Sequence, residues 1–188
     1  MAGDKALIHW IETACRELSS PLRQIPENEL TAFIDTLRAA SRVALFGVGR
    51  EGLMVRAFAM RLYHLGMDAH PVGEMTTPAI ASGDCLVVSA GPGHFATVEA
   101  LMNVAHASGA RTALVTANPH SRLRRQADTN VVLPARTMAV DAAQAQALPM
   151  GSAFEGALFL FFEHVVAELR KAMNIDEAAM RARHTNLE

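Results

Sequence analysis

Cysteine is scarce in this chain, with Cys15 and Cys85 the only two in 188 residues. Two thiols build no disulfide framework, and Cys85 stands in the apolar run CLVVS, so it reads as a buried thiol in a reducing, cytoplasmic setting. Long apolar runs are missing as well. The most apolar segment, GALFLFF at 156–162, stops at Glu163 and His164 and is too short to span a bilayer. With no membrane to receive it, its burial falls to the core or to a second subunit. Asp4, Lys5 and Glu12 interrupt the first turns, which argues against a signal peptide. Excess charge of one sign is also absent. A formal net charge of −2 leaves no electrostatic footprint for nucleic acid. The one basic cluster, Arg122, Leu123, Arg124 and Arg125, reads as a solvated helix face. His9, His64, His70, His106, His120 and His164 are scattered, with no pair at ligand spacing beside a third ligand, so no metal site is expected.

What is present is ordinary for a globular protein: 51% apolar and 19% charged residues, without repeats or low-complexity tracts. The length predicts one domain over 1–188, with residues 1–40 forming helices that pack on the core or on a neighbouring subunit. Leu7, Ile11, Ala14 and Leu18 recur at helical spacing until Pro21 and Pro26 interrupt, and Leu30, Phe33, Ile34 and Leu37 mark a second helix. From Val43 the pattern alternates. VALF, AHPV, CLVVS, TALVT and NVVLP read as five short strands. Helices are predicted over Leu53–Leu65 and Thr97–Ala107, and from NPHS onward. An aperiodic stretch, 135–149, precedes a long apolar helix from about Gly151 to Met173. A short helix and the tail RHTNLE follow.

Strands alternating with helices predict an α/β three-layer sandwich around a five-stranded parallel sheet. In the flavodoxin-like order 2-1-3-4-5, ligands bind beyond the carboxyl ends of strands one and three. The two glycine-rich loops of the chain fall there: 47–52, which includes Gly47, Gly49 and Arg50, and 89–94, SAGPGH, which includes Ser89, Gly91, Gly93 and His94. Glycines admit a close backbone approach, and helix starts offer unpaired N–H groups to an anion. The same glycines also serve tight strand-to-helix turns. GVGREG is a poor dinucleotide fingerprint, because its last glycine comes one residue early and no acid is clearly placed for a ribose. Ser152 suits either a helix N-cap or a hydroxyl contact to a ligand. Thr76 and Thr77, ahead of Pro78, suit a turn or a cleft wall.

Together, VALFGVGREG, FAMRLYHLG, VGEMTTP, VTANPHSRLRRQAD, LPMGSAFE and RHTNLE resemble the SIS (sugar isomerase) domain family, and within it the 6-phospho-3-hexuloisomerases. The resemblance runs from about Val43 to the end. It implies interconversion of a 3-hexulose 6-phosphate with fructose 6-phosphate through an enediolate, with no cofactor, usually in a homotetramer with shared sites. It makes Glu155 the proton-moving carboxylate. It gives His184 ring opening or carbonyl polarisation, in its own or a neighbour's site. Thr97 and Ser152 join the loop residues as candidate substrate contacts. One carboxylate that takes a proton from one carbon and returns it to the next is the minimum such a reaction needs. An oxyanion donor completes it.

Two loops depart from the resemblance. Similar proteins read GVGRSG, where this chain has Glu51. They also carry S-x-S-G-x-T at the second loop, where this chain keeps Ser89 and lacks the second serine and a threonine in register. A carboxylate about 5 Å from one unit of phosphate charge costs on the order of 3 kcal/mol at an effective dielectric near 20. Glu51 either faces the site at that cost or pairs with Arg50 or Arg56 and points away. Three readings follow: a hexulose-phosphate isomerase with altered phosphate contacts, an isomerase for another or unphosphorylated sugar, or a non-catalytic sugar-binding module.

Overall fold

The computed structural model describes residues 2–139 and 147–187, with side chains from residue 5 onward. The centre of the aperiodic 135–149 stretch, residues 140–146, lies outside the described residues, as does the side chain of Asp4. Helices α1 (Ala2–Leu22) and α2 (Glu27–Arg38) lead into the alternating part. That part runs β1 (Val43–Gly47), α3 (Gly49–His64), β2 (Ala69–Pro71), β3 (Cys85–Ser89), α4 (Ala96–Ala107), β4 (Arg111–Thr116) and β5 (Thr129–Val132). The chain closes with α5 (Ser152–Ala172) and α6 (Glu177–Ala182). The five strands are all parallel, in the order β2-β1-β3-β4-β5. The expected architecture and strand order are therefore both found.

Alternation along the strands sorts the core into two layers. Val43, Leu45, Cys85, Val87, Ala113 and Val115 face a cluster supplied by α2, α3 and α5. Ala44, Leu86, Val88 and Leu114 face the opposite way, onto Val98, Met102 and Ala105 of α4. Every residue of β3 is buried, as expected for a central strand covered on both faces. Burial pushes the Cys85 thiol up to about 12, so it stays neutral. In the thicker layer Phe58 of α3 stacks on Phe162 of α5, with ring centroids 4.2 Å apart and planes 2° apart. Phe33 meets Phe161 edge-on at 5.3 Å. Of the GALFLFF segment, Leu158, Phe161 and Phe162 are buried, whereas Phe159 and Leu160 reach the surface. Among the described residues no helix is long and apolar enough to cross a membrane.

Four local expectations are corrected. Helix α1 runs through Pro21 and ends one residue later at Leu22, so the ladder bond lost to the missing N–H falls in its last turn. Helix α3 begins at Gly49 rather than Leu53, because its first turn is glycine and charge and carries no apolar period. After Asn118-Pro119 only a 3-10 turn, Leu123–Arg125, forms. The Ser121 hydroxyl there donates to the Gly93 carbonyl at 2.5 Å and accepts from the Leu123 N–H at 3.1 Å, which ties the segment to the loop after β3. Finally, the basic cluster is not merely solvated. Arg124 reaches Glu29 at 2.6 Å and Asn130 at 2.5 Å, and Arg122 reaches Glu99 at 2.5 Å.

The stacked pair locks α3 to α5, the two helices whose first turns face each other across the crevice described below. Phe162→Ala lowers unfolding free energy by about 3–5 kcal/mol. Urea denaturation followed by circular dichroism measures it.

Candidate active site

Residues Gly47 and Ser89 are register partners at the carboxyl ends of β1 and β3, so the two glycine-rich loops meet at one crevice. The crevice opens into a cavity of about 400 Å³. Its walls come from the first turn of α3 (Gly49, Arg50, Glu51), Phe95, the segment Thr137–Met138, and 149–155 with Ser152, Phe154 and Glu155. That volume is in the range of small-molecule sites.

The first turn of α3 places its acid inward. Glu51 is 8% exposed, and its carboxylate accepts the Ser89 hydroxyl at 2.6 Å and the Gly91 N–H at 3.0 and 3.2 Å. Of the two orientations expected, Glu51 therefore takes the inward one. Arg50 pairs with a different acid, and Arg56 lies 3.9 Å from Glu74. Burial raises the Glu51 pKa. The bonds from Ser89 and Gly91 oppose that rise, and the charge of Glu155 adds to it. Gly91 must be glycine here, since a Cβ would stand 2.8 Å from the Glu51 Oε1 and 2.8 Å from the Phe154 ring. Gly49 holds φ +58, the left-handed region that a β-carbon disfavours.

Glu155 lies in the first turn of α5, where the helix dipole favours an acid. Its Oε2 accepts from the Arg50 Nε at 2.5 Å, with Glu155 15% and Arg50 67% exposed. This hydrogen bond and the Glu155 charge raise the Arg50 pKa. Arg50 thus bridges the start of α3 to the start of α5. Among the described residues the cavity is lined by two carboxylates, Glu51 and Glu155, and one guanidinium, Arg50.

The LPMGSAFE segment that delivers Glu155 is held by residues with no motif of their own. Glu17 of α1 accepts the Ala147 N–H at 2.8 Å and the Leu148 N–H at 3.1 Å. Trp10 donates to the Ala147 carbonyl at 3.1 Å, and Arg136 donates to the Leu148 carbonyl. The sequence shows Glu17 and Trp10 only as members of an amphipathic helix, so nothing in it marks this duty.

The other expected contacts are distributed unevenly. Gly49, Arg50 and Ser152 line the cavity, whereas Ser89 and Gly91 are not among its lining residues and connect to it through their hydrogen bonds to Glu51. Gly47 backs the crevice against Gly52, and Gly93, at φ +100, packs on Asn118. His94 turns to Glu99 at 3.0 Å and Arg122 at 2.6 Å, and Thr97 is exposed on α4. Neither is among the residues lining the cavity. The Thr77 hydroxyl donates to the Pro71 carbonyl at 2.8 Å and closes a turn. His184 lies in a separate cleft with Arg61, His64, Glu163, Arg170 and Arg181, its ring 5.2 Å from that of His64. His64 and Arg50 are at opposite ends of α3, about 20 Å apart along the helix axis at 1.5 Å per residue. Within one chain the structure does not bring His184 to Glu155. Among the described residues no cluster of three or more His, Cys, Asp or Glu could hold a metal ion.

A carboxyl whose folded pKa exceeds its unfolded one adds stability that is complete below the unfolded value and is lost as pH rises through the folded value. Glu51→Gln removes that loss. Relative to the native chain, the variant therefore gains stability as pH rises from the ordinary Glu value, about 4.3. Urea midpoints taken across pH 4–8 follow the gain, and a difference that stays flat across that range would contradict it.

No protein-family model matches the chain. The 3-hexulose-6-phosphate isomerase of Bacillus subtilis is 32% identical over 180 residues, 95% of this chain and 97% of the relative. That of Mycobacterium gastri is 34% identical over 172 residues, 92% and 86% of the two chains. Among solved structures, a Methanococcus jannaschii protein whose structure was taken to infer 3-hexulose-6-phosphate isomerase function superposes with a TM-score of 0.82. It is 30% identical, and the match covers 95% of this chain and 98% of that one. With the sheet order, the crevice and the Glu155 segment in place, these near-full-length matches establish that the chain belongs to the 3-hexulose-6-phosphate isomerase family of SIS-fold proteins.

Proposed function

We propose that this protein interconverts a 3-hexulose 6-phosphate and fructose 6-phosphate. The observation that carries the reading is Glu155, a partly buried carboxylate at the mouth of a sugar-sized cavity, oriented by Arg50 at 2.5 Å. In the forward direction Glu155 removes the proton from C2 of the 3-ketose, leaving a 2,3-enediolate. It returns that proton to C3 while the hydroxyl proton passes from O2 to O3, so atoms and electrons balance without a cofactor. Arg50, lining the same cavity, stabilises the oxyanion through charge-assisted hydrogen bonding. Ser152 supplies a hydroxyl contact beside it.

His184 belongs to this reading through assembly. Its distance from Glu155 in one chain supports its acting in a neighbouring subunit's site. The α1 side chains Leu7, Ile8, Trp10 and Ile11, between 45 and 57% exposed, offer apolar surface for subunit contact. The reading is a cytoplasmic homotetramer with composite sites. Glu51 favours one alternative, a sugar that brings no phosphate to the Ser89–Gly91 seat.

Incubation with fructose 6-phosphate in D₂O exchanges the C3 proton in the native protein, followed by NMR. Glu155→Gln slows the exchange about 10²–10⁴-fold. Absence of exchange at high protein concentration overturns the phosphosugar reading, and exchange of fructose run alongside supports the alternative. Mixing Glu155→Gln and His184→Ala chains under subunit-exchange conditions restores part of the activity if sites are shared. No restoration places His184 outside the neighbour's chemistry.

A further inference from the structure

Ser89 at the end of β3 and Gly91 in the loop after it lie buried behind the crevice wall, and both donate to one acceptor. The Ser89 hydroxyl is 2.6 Å from the Glu51 carboxylate, and the Gly91 N–H is 3.0 Å away. The carboxylate comes from α3, so it is a tethered anion seated across the mouth of β1 and β3. The cations described nearby are already engaged with other carboxylates. The Arg50 Nε is committed to Glu155 at 2.5 Å, and His94 and Arg122 are drawn off to Glu99 on α4. Pro92 brings no N–H donor to the loop. The fit is close, because a single added carbon at Gly91 would collide with both Glu51 and Phe154.

We propose that Glu51 is the specificity-determining residue of this crevice: its carboxylate occupies the Ser89–Gly91 anion seat, so a phosphate group enters there only by displacing it. The seat then accepts a hydrogen bond from a sugar hydroxyl in place of donating to phosphate oxygens. The substrate consequence rests on the sugar-site reading above, while the occupancy of the seat does not. A phosphosugar handled by this protein carries its phosphate outside the seat or moves Glu51 to enter it. In both cases Glu51 weakens phosphate binding relative to a small hydroxyl side chain at the same position.

The test titrates the ¹⁵N-labelled full-length protein with sodium phosphate at constant ionic strength, reading the Gly91 amide. Native, Glu51→Ser and Glu51→Gln proteins are compared. Removing one charge at contact range predicts Gly91-reported phosphate affinity about a hundredfold tighter in Glu51→Ser than in the native chain. Glu51→Gln, which keeps the side chain's length but not its charge, gives a smaller gain. Equal affinity in native and Glu51→Ser proteins overturns the proposal. Should Glu51→Ser fail to fold, Glu51→Gln decides on the same readout: a gain of about threefold or more supports the proposal, and no gain overturns it. Phosphate that binds instead in the Arg61, Arg170 and Arg181 cleft shifts amides there without moving Gly91 in any variant, which also overturns it. Inorganic phosphate needs no turnover, so the outcome stands whether or not fructose 6-phosphate exchanges its proton.

Discussion

The site is organised around one buried hydrogen-bonded carboxylate. Glu51 reaches from the first turn of α3 to Ser89 and Gly91 at the end of β3, and so closes the crevice where the sheet changes winding direction. A buried carboxylate left without donors would be costly. The loop after β3 is therefore held in the shape that brings the Gly91 N–H and the Ser89 hydroxyl to the same atom pair. The glycine at 91 and the packing of Phe154 over it follow from that requirement.

A second carboxylate completes the arrangement from the other wall. Glu155 is carried by α5, and it is bound by Arg50, the residue immediately before Glu51. Neighbouring residues on one helical turn thus serve opposite roles. Arg50 holds the acid exposed to the cavity, while Glu51 is withdrawn into the backbone cradle. The Phe58–Phe162 stack fixes the spacing of the two helices farther along. The relative position of the two acids is therefore set by apolar packing as well as by charge.

Parts of the chain without motifs do much of the positioning. Glu17 and Trp10 on α1 hold the backbone of Ala147 and Leu148, just before the turn that begins α5. Met150 within that turn has φ 50, an uncommon backbone state for a side chain other than glycine. Such a turn persists only where its surroundings hold it, and α1 and Arg136 provide that hold. The leading helix is thus structurally part of the site, although none of its described residues lines the cavity.

The sequence alone determined the sheet, its order and the two loops that meet at its carboxyl edge. Apolar runs of period two and helical runs of period 3.6 are local properties, and glycine marks the joints between them. It also marked Glu155 and the anomaly at Glu51, because residue identity in a recognisable frame is legible without coordinates. The tertiary structure alone decided where Glu51 points, that Arg50 belongs to Glu155, and that His184 lies at the far end of α3. It also decided that Arg122 and Arg124 are engaged in ion pairs and that Glu17 supports the α5 turn. Each of these is a contact between residues distant in sequence, chosen by which side chains packing brings within hydrogen-bond range. No periodicity or spacing along the chain encodes that choice.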